Sequence, residues 1–133
     1  MLIYLISLAM PGFVFRSDNV PIDEETKQYG YVILRHGWMG ILIGQMAWYA
    51  NVLFLAALVA IPLRKFNAGV GLSSAAFVFG LQSLFFHKFP KDESGLNYIF
   101  IDRLGVGFPL WELSFLLLAV YFFRKAGRSS TEP

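Results

Sequence analysis

The chain has 133 residues, of which 56% are hydrophobic, 17% aromatic and only 15% charged, where a soluble domain usually carries about 25% charged residues. A formal charge of +2 with no basic arm or stripe argues against a nucleic-acid partner. The absence of cysteine excludes disulfides, thiolate metal sites, iron–sulfur clusters and cysteine nucleophiles.

A membrane span needs about 20 apolar residues to cross about 30 Å of hydrocarbon. Residues 1–15 form a short apolar run that ends at Arg16 and is interrupted by Pro11-Gly12. As a helix it would reach about 22 Å. It lacks the basic n-region and A-x-A-like cleavage site of a signal peptide. It therefore reads as a signal anchor, or as a span whose front end lies outside this chain. Residues 16–31 are polar and acidic, with Asp18, Asp23, Glu24 and Glu25, and read as an exposed loop with a short helix from Pro21.

The run 38–63 carries no charge and is the second predicted span. Arg35 and His36 mark its start and Pro62 its end, because proline breaks the helical hydrogen-bond ladder. Arg64-Lys65-Phe66-Asn67 is a tight basic turn. The third span covers about 68–86 and closes at His87-Lys88. Residues 89–103 read as a polar loop with a Pro-Lys-Asp-Glu-Ser-Gly turn. The fourth span covers about 104–123, closed by Arg124, Lys125 and Arg128, and 127–133 reads as a disordered tail. The expected fold is an all-α membrane protein, a bundle of about four transmembrane helices forming one domain over 1–126.

If all four segments cross, the Arg64-Lys65 turn and the carboxyl tail share a side. Basic residues lie densest next to those helix ends. That distribution places both termini in the cytoplasm.

Gly37, Gly40, Gly44 and Ala47 recur at helical spacing and line one face of the second span. Such small residues let helices approach closely, within the chain or in a dimer. Gly69, Gly71, Ser73, Ala75 and Ala76 give the third span a similar end. By depth, Gln45, Gln82 and Glu112 fall in the outer half, with Asn51 and Ser73-Ser74 deeper. At matched depth these groups read either as interhelical hydrogen-bond partners or as the lining of a polar path.

Glu112 is the one charge in the run 104–123, and at a helix centre it costs about 2.5–3.5 kcal/mol on insertion scales. Two readings follow. If the helix starts near Leu104, Glu112 lies two turns inside and must find a partner or carry a proton. If Gly105-x-Gly107-Phe108-Pro109 is an irregular lead-in, Pro109 becomes the first helical residue. Glu112 then sits in the first turn, where free N–H groups favour a negative charge.

His36 and His87 lie at the ends of consecutive spans, with Arg35, Lys88 and Arg103 on the same side. Two histidines suit a metal or a haem. However, neither sits in a ligand motif and the adjacent Arg35 and Lys88 oppose a cation. They read as interfacial histidines, and neither a metal nor a cofactor is expected.

Three stretches together carry a resemblance. They are Ser7-Leu8-Ala9-Met10-Pro11-Gly12-Phe13; Gly30-Tyr31 with Gly37-Trp38-Met39-Gly40 and Ala47-Trp48-Tyr49-Ala50-Asn51; and Leu104-Gly105-Val106-Gly107-Phe108-Pro109-Leu110-Trp111-Glu112-Leu113-Ser114-Phe115. The chain resembles a family of small bacterial multi-pass membrane proteins of unknown function. Similar sequences tend to carry an uncharged residue where this one has Glu112. The resemblance implies a helical bundle in the bacterial inner membrane and no particular activity.

The expected function is that of a non-catalytic interaction or accessory subunit. Its partners would be the lipid bilayer and another membrane protein or a second copy of itself. One alternative is a small transporter or channel component, with Glu112, Asn51, Gln45 and Gln82 along its path. Another is a membrane-surface enzyme using Arg35, His36, His87, Lys88, Asp102 and Arg103 on lipid or quinone head groups.

Overall fold

The structure is a computed structural model that describes residues 1–16, 26–90 and 98–129. The acidic stretch around Pro21, most of the Pro-Lys-Asp-Glu-Ser-Gly turn and the last residues of the tail lie outside that set. The chain divides into two compact units. One comprises Met1–Gly37 and Leu84–Trp111, the other Trp38–Ser83 and Glu112–Pro133.

The first unit corrects the all-α expectation. A short helix α1 (Leu2–Ala9) leads into strand β1 (Pro11–Arg16), followed by β2 (Thr26–Tyr29) and helix α2 (Gly30–His36). After the second unit's helices come β3 (Lys88–Pro90) and β4 (Tyr98–Leu104). The strands form one antiparallel sheet in the order β2-β1-β4-β3. Residues 1–15 are thus a helix followed by a strand, not one continuous helix.

The reason lies in Phe13-Val14-Phe15. Aromatic and β-branched side chains favour a pleated strand. All three are buried although neighbours point to opposite faces, so β1 is covered on both sides. Pro11 opens β1 and Pro90 closes the edge strand β3, positions where a missing N–H is tolerated. On β4, Tyr98-Ile99-Phe100-Ile101 supplies the strand-forming run inside what composition alone reads as a polar loop.

The second unit is helical. The uncharged run 38–63 is not one helix. It begins in the 3₁₀ helix Gly37–Ile43, turns at Gly44, and resumes as α3 (Tyr49–Ala60). Gly44 has φ +75°, a left-handed conformation that glycine adopts without the penalty of a β-carbon. A tight turn through Arg64 leads into α4 (Phe66–Leu81), which packs along α3 and ends in a 3₁₀ turn, Gln82–Phe85. Helix α5 spans Gly107–Ser129, so residues 127–129 are helical where a disordered tail is expected.

Among the described residues, two helices are long and apolar enough to cross a membrane: Phe66–Phe85 and Gly107–Arg128. Helix α3 is apolar but shorter. Its 12 residues rise about 18 Å.

Candidate functional site

The buried face of α4 is made of small residues alone: Gly69, Ser73, Ala76 and Gly80. They recur every three or four positions and form a groove along the helix. The facing stripe of α5 runs through Glu112, Phe115, Ala119 and Phe122, all buried. Two contacts set the register. A β-carbon on Gly80 would collide with the Glu112 carboxyl, and one on Gly69 would collide with the Phe122 ring. Contacts that descend α4 while ascending α5 mean that the two helices run antiparallel.

Glu112 is 6% exposed. Both of its carboxyl oxygens are buried and, among the described residues, neither has a hydrogen-bond partner. The helix begins at Gly107, so Glu112 is in its second turn, and no acid lies in the first. It does not cap the N-terminus. Gly80, the residue that makes room for it, escapes sequence reasoning because a contact between distant segments has no local signature. The regular spacing of small residues from Gly69 onward is the signal that could have found it.

Gln82 joins distant parts of the same unit. Its Oε1 accepts from the Met46 N–H at 2.8 Å, and its Nε2 donates to the Gly44 carbonyl at 3.1 Å. Those are backbone groups released where the chain leaves the 3₁₀ helix, and the one amide satisfies both. Gln45 is buried in the same turn, with its N–H on the Gly40 carbonyl at 2.8 Å. Gln45 and Gln82 therefore meet around one backbone break. Asn51 is buried in the first turn of α3, and its Nδ2 donates to the Trp48 carbonyl at 2.9 Å. The Ser73 hydroxyl donates to the Gly69 carbonyl at 2.6 Å.

The glycines of the second run serve the turn. A β-carbon on Gly40 would meet Gln45 itself, and the corresponding position on Gly44 is open. Ala47 is buried just after the turn. No continuous Gly37, Gly40, Gly44, Ala47 helix face forms, because the helix is interrupted there.

In the first unit, Arg35 and His36 are exposed at the end of α2, and the His36 ring lies 3.2 Å from the Val32 carbonyl. His87 is exposed, and its backbone carbonyl accepts from Ile101 N–H at 2.9 Å. Arg103 is exposed on β4, paired in register with Val14. Among the described residues no group of three or more His, Asp or Glu side chains could hold a metal ion.

Compared with known protein families, curated proteins and solved structures, the chain matches none.

Proposed function

We propose that this chain is a small integral membrane protein that acts as a non-catalytic interaction or accessory subunit. One observation carries the reading: the helices turn many large apolar side chains outward and keep small residues along the buried face of α4. The helical unit's interior sets Phe54, Phe115 and Phe122 among Ala50, Ala57, Ala60, Gly69, Ser73, Ala76 and Gly80, while Leu55, Val59, Val78, Leu116, Leu117 and Phe123 face outward. In water that arrangement would expose the larger apolar surface for no gain. In lipid, which is as apolar as leucine, helices associate through close backbone approach at small residues.

The antiparallel packing of α4 and α5 supports an orientation. It places Arg64 and Lys65, before α4, at the same end of the unit as Arg124, Lys125 and Arg128, at the end of α5. Basic flanks of this kind favour the cytoplasm. The carboxyl end therefore faces the cytoplasm of a bacterial inner membrane.

The cysteine-free chain suits a direct test. Single cysteines at Lys65 and Arg128 should react with a membrane-impermeant maleimide only after cells are opened, and the protein should stay in the pellet at alkaline pH. Recovery in the alkaline supernatant would sink the membrane reading. A photo-crosslinker at Leu117 should then yield one discrete protein adduct. A featureless ladder or no adduct would count against a specific partner.

A further inference from the structure

We propose that Glu112 is a proton-binding site: within the folded helical unit it holds a proton at neutral pH, and it exchanges that proton only when α4 and α5 part at Gly80. This goes beyond an accessory role and does not depend on it.

The geometry leaves few other states. An ionised carboxylate needs a cation, several N–H or O–H donors, or water. Both Glu112 oxygens are buried, and neither has a hydrogen-bond partner among the described residues. Oε1 occupies the space where any residue other than glycine would place its β-carbon at position 80. The Gly80 backbone lies against the carboxyl, and its N–H is committed within its own helix. A bare carboxylate in that setting carries a desolvation penalty that nothing offsets, and a buried group escapes it by taking a proton. A metal ion would need additional ligands, and no cluster of acids or histidines provides them among the described residues.

Among the described residues, the charged and titratable groups of the surrounding helices give no competing partner. The 3₁₀ segment Gly37–Ile43 has no titratable side chain, and neither does α4. Helix α3 contributes only Tyr49, whose ring is set edge-on to Trp48 at 5.3 Å. On α5 itself the groups are Tyr121, Arg124, Lys125 and Arg128. Arg124 lies 12 positions beyond Glu112, roughly 18 Å along the helix. Lys65 caps the far end of α4, 15 positions from Gly80, or roughly 22 Å away.

The seat also explains how proton binding would couple to shape. The neutral acid fits against Gly80. An ionised one must reach water, so releasing the proton requires that contact to open. Glu112 thus favours a closed unit when protonated and an open one when not, a two-state device biased by proton concentration.

The test uses the full chain in lipid bilayers at pH 7. The infrared C=O band of a protonated carboxyl should be present in wild type and lost in Glu112→Gln. Dicyclohexylcarbodiimide gives a second readout that needs no variant. The carboxyl gives its proton to a carbodiimide nitrogen and its oxygen bonds to the central carbon. Rearrangement to the N-acylurea then retains every atom of both reactants. Peptide mass mapping of wild type should place that adduct on Glu112 at pH 7, formed as α4 and α5 part and before the proton leaves. Gly80→Ala, which takes the carboxyl's seat, should remove the protonated band while Glu112 remains. A wild type with no protonated band at pH 7, and no adduct on Glu112, would overturn the proposal. So would a Gly80→Ala variant that folds and keeps the band unchanged. Neither result would bear on whether the chain spans the membrane.

Discussion

The Gln82 side chain reaches the Gly44 carbonyl at 3.1 Å while accepting the Met46 N–H at 2.8 Å. One amide thus closes both sides of a break in the backbone. Helix interruptions are tolerated in apolar surroundings only where the freed groups are satisfied again. Gln82→Ala removes both partners at once and should destabilise the helical unit by about 1–3 kcal/mol, from two hydrogen bonds worth about 0.5–1.5 kcal/mol each. Gln82→Glu keeps an acceptor for Met46 but loses the donor to Gly44, so it should not restore the wild-type value. Thermal unfolding in detergent measures both. An alanine variant as stable as wild type would show that the break closes in another way.

The groove on α4 makes a steric prediction. Gly69→Ala would drive a methyl group into the Phe122 ring. Overpacking of this kind costs about 1–3 kcal/mol. Phe122→Leu in the same molecule should recover part of that loss. A double-mutant cycle should therefore return a coupling above about 0.5 kcal/mol, the limit expected of independent sites.

Burial predicts which truncations matter. Phe115 is fully buried and meets the Phe54 ring at a centroid distance of 5.1 Å. Phe115→Ala should cost about 3–5 kcal/mol. Its neighbour Leu116 faces outward, and Leu116→Ala should change stability by no more than about 0.5 kcal/mol. Equal losses at the two positions would mean that the helix is rotated from the orientation described.

The sheet unit has its own close approach. Gly105 donates its N–H to the Gly12 carbonyl at 2.9 Å, and a β-carbon there would run into the Pro11 backbone. Gly105→Ala should loosen the β1–β4 pairing. Amide exchange should then quicken along β1 and β4 while α3 keeps its protection. Unchanged exchange in the strands would show that the backbone yields at no cost.

Hydropathy made α4 and α5 legible, because a long apolar run with a basic end has only one compact backbone solution. The predicted runs 68–86 and 104–123 overlie the helices Phe66–Phe85 and Gly107–Arg128. The run 1–15 misled for the opposite reason. Counting apolar residues does not separate helix from strand, and Phe13-Val14-Phe15 shows no alternation because both faces of β1 are covered. The break at Gly44 was hidden because a glycine at helical spacing reads equally as a helix face or a turn. Glu112 stood out as an anomaly of charge, but its neighbour is 32 positions away, and only the fold brings Gly80 to it.

The outward placement of large apolar side chains on the helices has a calorimetric consequence. A water-soluble domain gains about 12–15 cal/mol/K per residue in heat capacity on unfolding, because buried apolar surface meets water. Here Leu55, Val59, Leu116, Leu117 and Phe123 already point outward in the native helices. In a bilayer they would stay against hydrocarbon in both states. The heat-capacity increment of the helical unit should therefore fall well below the soluble value. Its stability curve would be nearly straight with temperature, and cooling would leave it folded.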